Sequence, residues 1–261
     1  MGEPLSGATF VLIHGAWQGA WAWQQLVPPL EAAGHHAIAV DLPGNGHDDT
    51  LPEAVTTMLY AEHVAAIIDK IAGPVVVVGH SMGGTVAAQV SELRPERIDV
   101  AIYLCAFLLP DGESIFDFYD RAWDDTMTGA HARVTYSADG LLSTIDPESA
   151  KEVFYVQAEP GDASEAAKRL TPQPEGGRRS KLQLSSENFG RVPRIYIETT
   201  QDSSVFIELQ RRMHAETPCA YVFTLDTDHA PQLSAPQALA GILNNIAELY
   251  DLVNVDDRDP I

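Results

Sequence analysis

Pro74–Ala88 reads PVVVVGHSMGGTVAA. Pro74 to Val78 is an apolar, β-branched run of strand length, and small helix-forming residues follow Gly84. Between them Gly79, Ser81 and Gly83 fall in G-x-S-x-G order, the pattern of a strand–turn–helix elbow with a serine at its apex. Such a turn is crowded, so the positions two before and two after the serine must lack side chains. The helix behind it directs its N-terminal amides and positive dipole end at whatever reacts with the hydroxyl. Alone, so short a pattern is only suggestive. The VVVV strand before it and the helix after it carry the reading.

Upstream, Ala8–Ile13 is a short apolar run that reads as a buried strand, closed by His14-Gly15-Ala16. Trp17, Trp21 and Trp23 follow. Trp17, nearest the strand end, is expected to line a pocket, and the other two to pack a helix onto the sheet. That helix is expected over about 21–33, with Pro28 and Pro29 kinking or breaking it and Gly34 stopping it. His36–Leu42 is the second strand, and Thr56–Ile71 has apolar residues at helical spacing. Downstream of the elbow helix, Ile98–Leu104, Pro193–Thr199 and Pro218–Leu225 complete six strands. Helices are expected over about 204–214 and 235–250. Strands that are continuously apolar and alternate with helices predict an α/β fold, a mostly parallel six-stranded sheet with helices on both faces.

Residues 108–191 interrupt this alternation with aromatics and polar turn clusters such as PQPEGGRRS. A structureless loop of that length is improbable, so an inserted lid over the carboxyl ends of the strands is expected. The core then comprises residues 1–107 and 192–250, and residues 251–261 form an acidic tail. Trp17, Phe107, Phe116, Trp123 and Phe154 are the candidate pocket residues.

A serine hydroxyl needs a base, and the base needs an orienting carboxylate. In an elbow-type sheet the chain order is serine, acid, histidine. Of nine histidines, only His229 lies in a loop directly after the last strand, so it is the candidate base. His80 adjoins the elbow, but its side chain is expected to point away from the hydroxyl, and His214 reads as a surface residue at a helix end. Asp202, after the fifth strand, is the candidate acid, ahead of Asp111. Asp226 and Asp228 read as turn residues. The backbone amides of Met82 and Ala16 are the candidate oxyanion hole.

The chain has 261 residues, 45% hydrophobic and 20% charged, as in an ordinary globular protein. A net charge of −21 argues against nucleic acid or an anionic membrane surface as partner. No apolar run is long enough to span a bilayer and no signal-peptide pattern opens the chain, so the cytoplasm is the default compartment. The opening MGEPLS fits a myristoylation pattern short enough to arise by chance. Cys105 and Cys219 fall in predicted buried strands and read as small core residues. The histidines are scattered, and no H-E-x-x-H, cysteine pair of ligand spacing, phosphate loop or G-x-G-x-x-G after a strand is present. No metal site is therefore expected, and no nucleotide-binding pattern is read.

In FVLIHGAWQGAWAW, HHAIAVDLPGNG, VVVVGHSMGG, LCAFLLPDG, IYIETTQD and TDHAPQLSAPQALAGIL, the chain resembles the α/β-hydrolase fold. More narrowly it resembles plant methylesterases, plant hydroxynitrile lyases and their bacterial esterase relatives, over about 10–250. The resemblance implies Ser81, Asp202 and His229 as a triad, Ala16 and Met82 amides as the oxyanion hole, and no cofactor. The lyases carry a lysine directly after the catalytic histidine, where this chain has Ala230, and a carboxylate before the serine, where it has His80. Both departures favour ester hydrolysis through an acyl-enzyme, and the aromatics of the insert suggest a small to medium apolar or aromatic ester. A C–C lyase and a slow-turnover receptor with the same triad are the alternatives, and acyl transfer or lactone opening would use the same machinery. The expected partner is a small-molecule ester, and a homodimer is compatible with this reading.

Overall fold

The computed structural model describes residues 7–122 and 129–252. The strands of the main sheet alternate with helices, as the sequence predicts. They are β1 (Thr9–Ile13), β2 (His36–Val40), β3 (Val75–His80) and β4 (Val100–Leu104), with α1 (Val27–Ala32), α2 (Thr57–Ile68) and α3 (Gly83–Leu93) between them. After β4 come α4 (Ile115–Ala122), β5 (Val134–Tyr136), β6 (Leu142–Ile145), α5 (Pro147–Phe154), α6 (Pro160–Lys168), β7 (Gln173–Pro174) and α7 (Gly176–Arg179). The alternation resumes with β8 (Arg194–Thr199), α8 (Ile207–Glu216), β9 (Tyr221–Leu225), α9 (Pro231–Ser234) and α10 (Pro236–Leu249).

The sheet order is β2-β1-β3-β4-β8-β9, with every neighbouring pair parallel. The valine run of β3 explains its own composition. Val75 and Val77 enter the core beneath α2 and α3, while Val76 and Val78 enter the opposite core beneath α1 and α10. A strand buried on both faces has no polar position, and each valine contributes about 1.5–3 kcal/mol by leaving water. Between β4 and β8 the described residues contain a separate antiparallel sheet, β5-β6-β7, and the helices α4 to α7. No helix among the described residues is long and apolar enough to cross a membrane.

Three details differ from the sequence expectation. The helix expected over 21–33 is two pieces, a 3-10 turn at Ala20–Trp23 and α1, whose prolines occupy its first turn, where an N–H is not needed. Cys219 lies half-buried in the turn before β9, because β9 starts at Tyr221 and is the sheet's edge strand, with Tyr221 and Val222 exposed. His214 is half-buried rather than on the surface, its Nε2 3.3 Å from Glu198 and its ring against Tyr196. Trp123 and the tail beyond 252 lie outside the described residues.

Candidate active site

Ser81 sits between the end of β3 and the start of α3 with φ +53°, a left-handed conformation that a serine adopts only under constraint. The constraint is visible. The Ser81 N–H donates to the Leu104 carbonyl at 3.2 Å, and its carbonyl accepts from the N–H groups of Gly84 at 3.1 Å and Phe107 at 3.0 Å. The glycines are obligatory for space: a Cβ on Gly79 would lie 2.4 Å from the Gly83 carbonyl oxygen, and one on Gly83 2.6 Å from that of Ile13.

Asp202 and His229 arrive on the loops after β8 and β9, and His229 Nδ1 lies 2.8 Å from Asp202 Oδ2. A carboxylate only accepts, so Nδ1 carries the proton and Nε2 presents a lone pair. Asp202 is held by four further donors. Its Oδ2 accepts from Thr199 Oγ1 and Gln210 Nε2, both at 3.1 Å, and its Oδ1 from the N–H groups of Ser204 and Val205, both at 2.8 Å. The carboxylate cannot rotate away from the imidazole without breaking this set.

The backbone of His229 is gripped as well. Its carbonyl accepts from His80 Nε2 at 2.7 Å and from Cys105 Sγ at 3.4 Å. His80 therefore ties His229 to the residue that precedes Ser81, and its Nδ1 faces the side-chain amides of Gln18 and Gln232 at 3.2 and 3.5 Å. Phe154 flanks the His229 ring at 5.5 Å and lies near-parallel to Trp17 at 6.0 Å. Asp228 accepts from the N–H of Gln157 at 2.7 Å, joining the histidine loop to the insert, and from Ala230 and Ser234.

Ala16 and Met82 are both buried, and among the described residues neither backbone N–H donates a hydrogen bond. Buried amides are almost always paired; these two flank the elbow, Met82 directly after Ser81 and Ala16 after Gly15, whose added Cβ would stand 3.0 Å from the Ser81 Cβ.

Two buried histidines are held neutral. Burial lowers His14 to about 4, although its Nδ1 donates to the Gly15 carbonyl at 2.8 Å and the Leu42 N–H donates to its Nε2 at 3.2 Å. Burial, and then the neighbouring His229, push His80 well below the ordinary histidine value. Burial also raises the Cys105 thiol well above its usual range, so it acts as a hydrogen-bond donor and not as a nucleophile. A histidine depressed in the folded state contributes stability that is complete above the unfolded value near 6.5 and lost as pH falls through that window. For His14 a gap of roughly 2.5 pH units corresponds to about 3 kcal/mol, and His80 acts with the same sign. The urea midpoint is therefore expected to fall steeply between pH 7 and pH 4.5, and less steeply in His14→Gln. Equal slopes would assign the acid sensitivity elsewhere.

The nitrogen and sulfur atoms of His80, Cys105 and His229 lie within 4.8 Å of one another, a donor set that could hold a metal. Here each serves a hydrogen bond: the first two converge on the His229 carbonyl and the third engages Asp202.

Asp202 and His229 are brought together as the sequence suggests, and Asp111 is instead spent accepting from the Leu184 N–H. Asp226 and Asp228 serve loop and insert contacts. Among the pocket candidates, Phe154 lies against His229 and Trp17 stacks on Phe154. Phe107 contributes its backbone to the elbow and its ring to Phe118 and Tyr119. Phe116 packs on the Arg179 and Arg178 guanidinium groups, 4.0 and 5.3 Å away, and on His131, and touches no triad candidate among the described contacts. Sequence reasoning missed Gln18, Thr199, Gln210 and the support from Cys105. Only the short spacing of Thr199 and Gln210 from Asp202 hinted at theirs.

Comparisons with known proteins agree with this fold. The sequence profile of the alpha/beta hydrolase family matches residues 10–242. Methylesterase 1 of Arabidopsis thaliana is 33% identical over 96% of this chain and 100% of its own length. Putative methylesterase 12, chloroplastic, of the same plant is 30% identical over 95% of this chain and 74% of its own. The crystal structure of a pyrethroid hydrolase superposes with a TM-score of 0.84 at 27% identity, covering 93% of this chain and 98% of that one.

Proposed function

Because the chain belongs to the alpha/beta hydrolase family, we propose that it hydrolyses carboxylic esters with Ser81 as nucleophile, His229 as general base and Asp202 as the orienting acid. The observation that carries this reading is the 2.8 Å His229–Asp202 bond, held one residue from the serine of a strained elbow by the bond from His80. Ser81 attacks the ester carbonyl as His229 Nε2 takes its proton. The tetrahedral oxyanion accepts from the Ala16 and Met82 amides, His229 protonates the departing alcohol, and the acyl-enzyme forms. Water, deprotonated by the same nitrogen, then releases the acid.

Support for esters comes also from the similarity to a methylesterase and a pyrethroid hydrolase. Ala230, wholly buried, stands where the lyases carry their lysine, so no cation is offered there to a cyanide leaving group. The substrate is a neutral ester with an apolar or aromatic group. Trp17 and Phe154 flank the site, and the nearby Arg178 guanidinium is neutralised by Glu175 at 2.7 Å. Residues 108–191 act as the lid that sets this preference. Two free cysteines fit a reducing compartment, and we place the enzyme in the cytoplasm.

The test is turnover of p-nitrophenyl butyrate and of methyl esters of aromatic acids at pH 7.5, beside cyanide release from mandelonitrile. Ester turnover in the ordinary enzyme range, about 1–1,000 per second, without cyanide release is expected. Cyanide release, or a single slow turnover, would replace this reading by the lyase or the receptor.

A further inference from the structure

The residue after the proposed oxyanion donor Ala16 is Trp17, at φ +63°, a left-handed conformation that a bulky aromatic residue rarely adopts. Something must hold it there, and every one of its hydrogen-bonding groups is held by the insert. Its N–H donates to Gln173 Oε1 at 3.1 Å, its carbonyl accepts from the Thr171 N–H at 2.9 Å, and its indole Nε1–H donates to Ser143 Oγ at 3.1 Å.

The holders are themselves fixed. Gln173 is wholly buried, and its Nε2 donates to Tyr60 Oη at 3.1 Å and to the Pro174 carbonyl at 2.8 Å, so its Oε1 is left facing Trp17. Ser143, also wholly buried, accepts from the indole and therefore gives its own proton to Glu175. Glu175 is paired with Arg178, both almost fully buried, and the Arg178 guanidinium caps the Trp17 ring at 5.0 Å. On the other side of Ala16, the Gly15 N–H donates to Gln18 Oε1 at 3.2 Å. The one amide left unpaired in this loop segment, that of Ala16, is thus bracketed by amides whose directions are set.

We infer that the insert is a clamp on the oxyanion loop: Gln173 and Ser143, backed by Glu175 and Arg178, are positioning residues that fix the direction of the Ala16 N–H. This rests on the ester-hydrolase reading. The insert then does more than shape the pocket, because the oxyanion hole is complete only while β6 and β7 hold Trp17. An oxyanion hole works by being oriented before charge develops, so loosening it weakens the transition state and leaves the bound ester almost untouched.

The experiment compares wild type, Gln173→Leu and Ser143→Ala in ester hydrolysis, with a trifluoromethyl ketone inhibitor that binds serine enzymes as an oxyanion. Loss of a whole oxyanion donor costs about 100- to 1,000-fold in kcat. A loosened one is expected to cost roughly 10- to 100-fold, with KM within about threefold of wild type. Inhibitor affinity should fall in parallel with kcat/KM across the three proteins, while near-UV circular dichroism shows each to be folded. Should Gln173→Leu fail to fold, Ser143→Ala, which removes a single hydroxyl, decides. Variants with wild-type kcat and inhibitor affinity, or with a raised KM alone, would overturn the clamp. An inactive wild type would instead overturn the ester-hydrolase reading beneath it.

Discussion

Gly79→Ala is expected to lose both stability and activity. The new methyl carbon would stand 2.4 Å from the carbonyl oxygen of Gly83 and 2.7 Å from its carbonyl carbon. Both are backbone atoms in the first turn of α3, so no side chain can swing aside. The helix start must move, and with it the Met82 amide and the Ser81 hydroxyl. Overpacking of a filled interior costs about 1–3 kcal/mol and sometimes more, and a displacement of about 1 Å at reacting groups costs about 100-fold in rate. Urea unfolding and ester turnover of the purified variant measure the two losses. Gly161→Ala is the control, because a Cβ there meets nothing within 4 Å and Gly161 lies in α6. That change should leave stability equal or slightly raised, as alanine replaces glycine in a helix. A Gly79→Ala protein as stable and active as wild type would mean that the elbow is looser than its contacts indicate.

The elbow was legible in the sequence because its constraints are local. The valine run, the glycines at two fixed offsets and the small-residue helix all act within fifteen residues of one another. Asp202 and His229 were legible for a topological reason: in a parallel sheet every strand ends at the same edge, so the loops after β8 and β9 must open beside the serine. What could not be read is whatever depends on how the insert folds back. Trp17 meets Gln173 across 156 residues and Ser143 across 126. Neither glutamine nor serine announces such a role, since both are ordinary polar residues on short strands of the insert. Cys105 was read as a small core residue and is one by burial, yet its thiol also supports the His229 carbonyl. Phe116 misled because an aromatic residue in an insert over an active site suggests a pocket wall, whereas two arginines of α7 claim its ring.

Everything proposed for the chemistry rests on one hydroxyl. In Ser81→Ala the oxyanion amides, the His229–Asp202 pair and the aromatic walls remain, and only the attacking oxygen is lost. The residual rate should therefore be that of a binding site which orients an ester for water without covalent help. Loss of a triad nucleophile removes most of the acceleration, and the remainder comes from the oxyanion hole and binding. The measurement is p-nitrophenyl butyrate hydrolysis at pH 7.5 by wild type and Ser81→Ala, purified side by side and matched by circular dichroism. A fall in kcat/KM of at least about a thousandfold is the predicted result; a variant that keeps most of the wild-type rate would show that Ser81 is not the nucleophile.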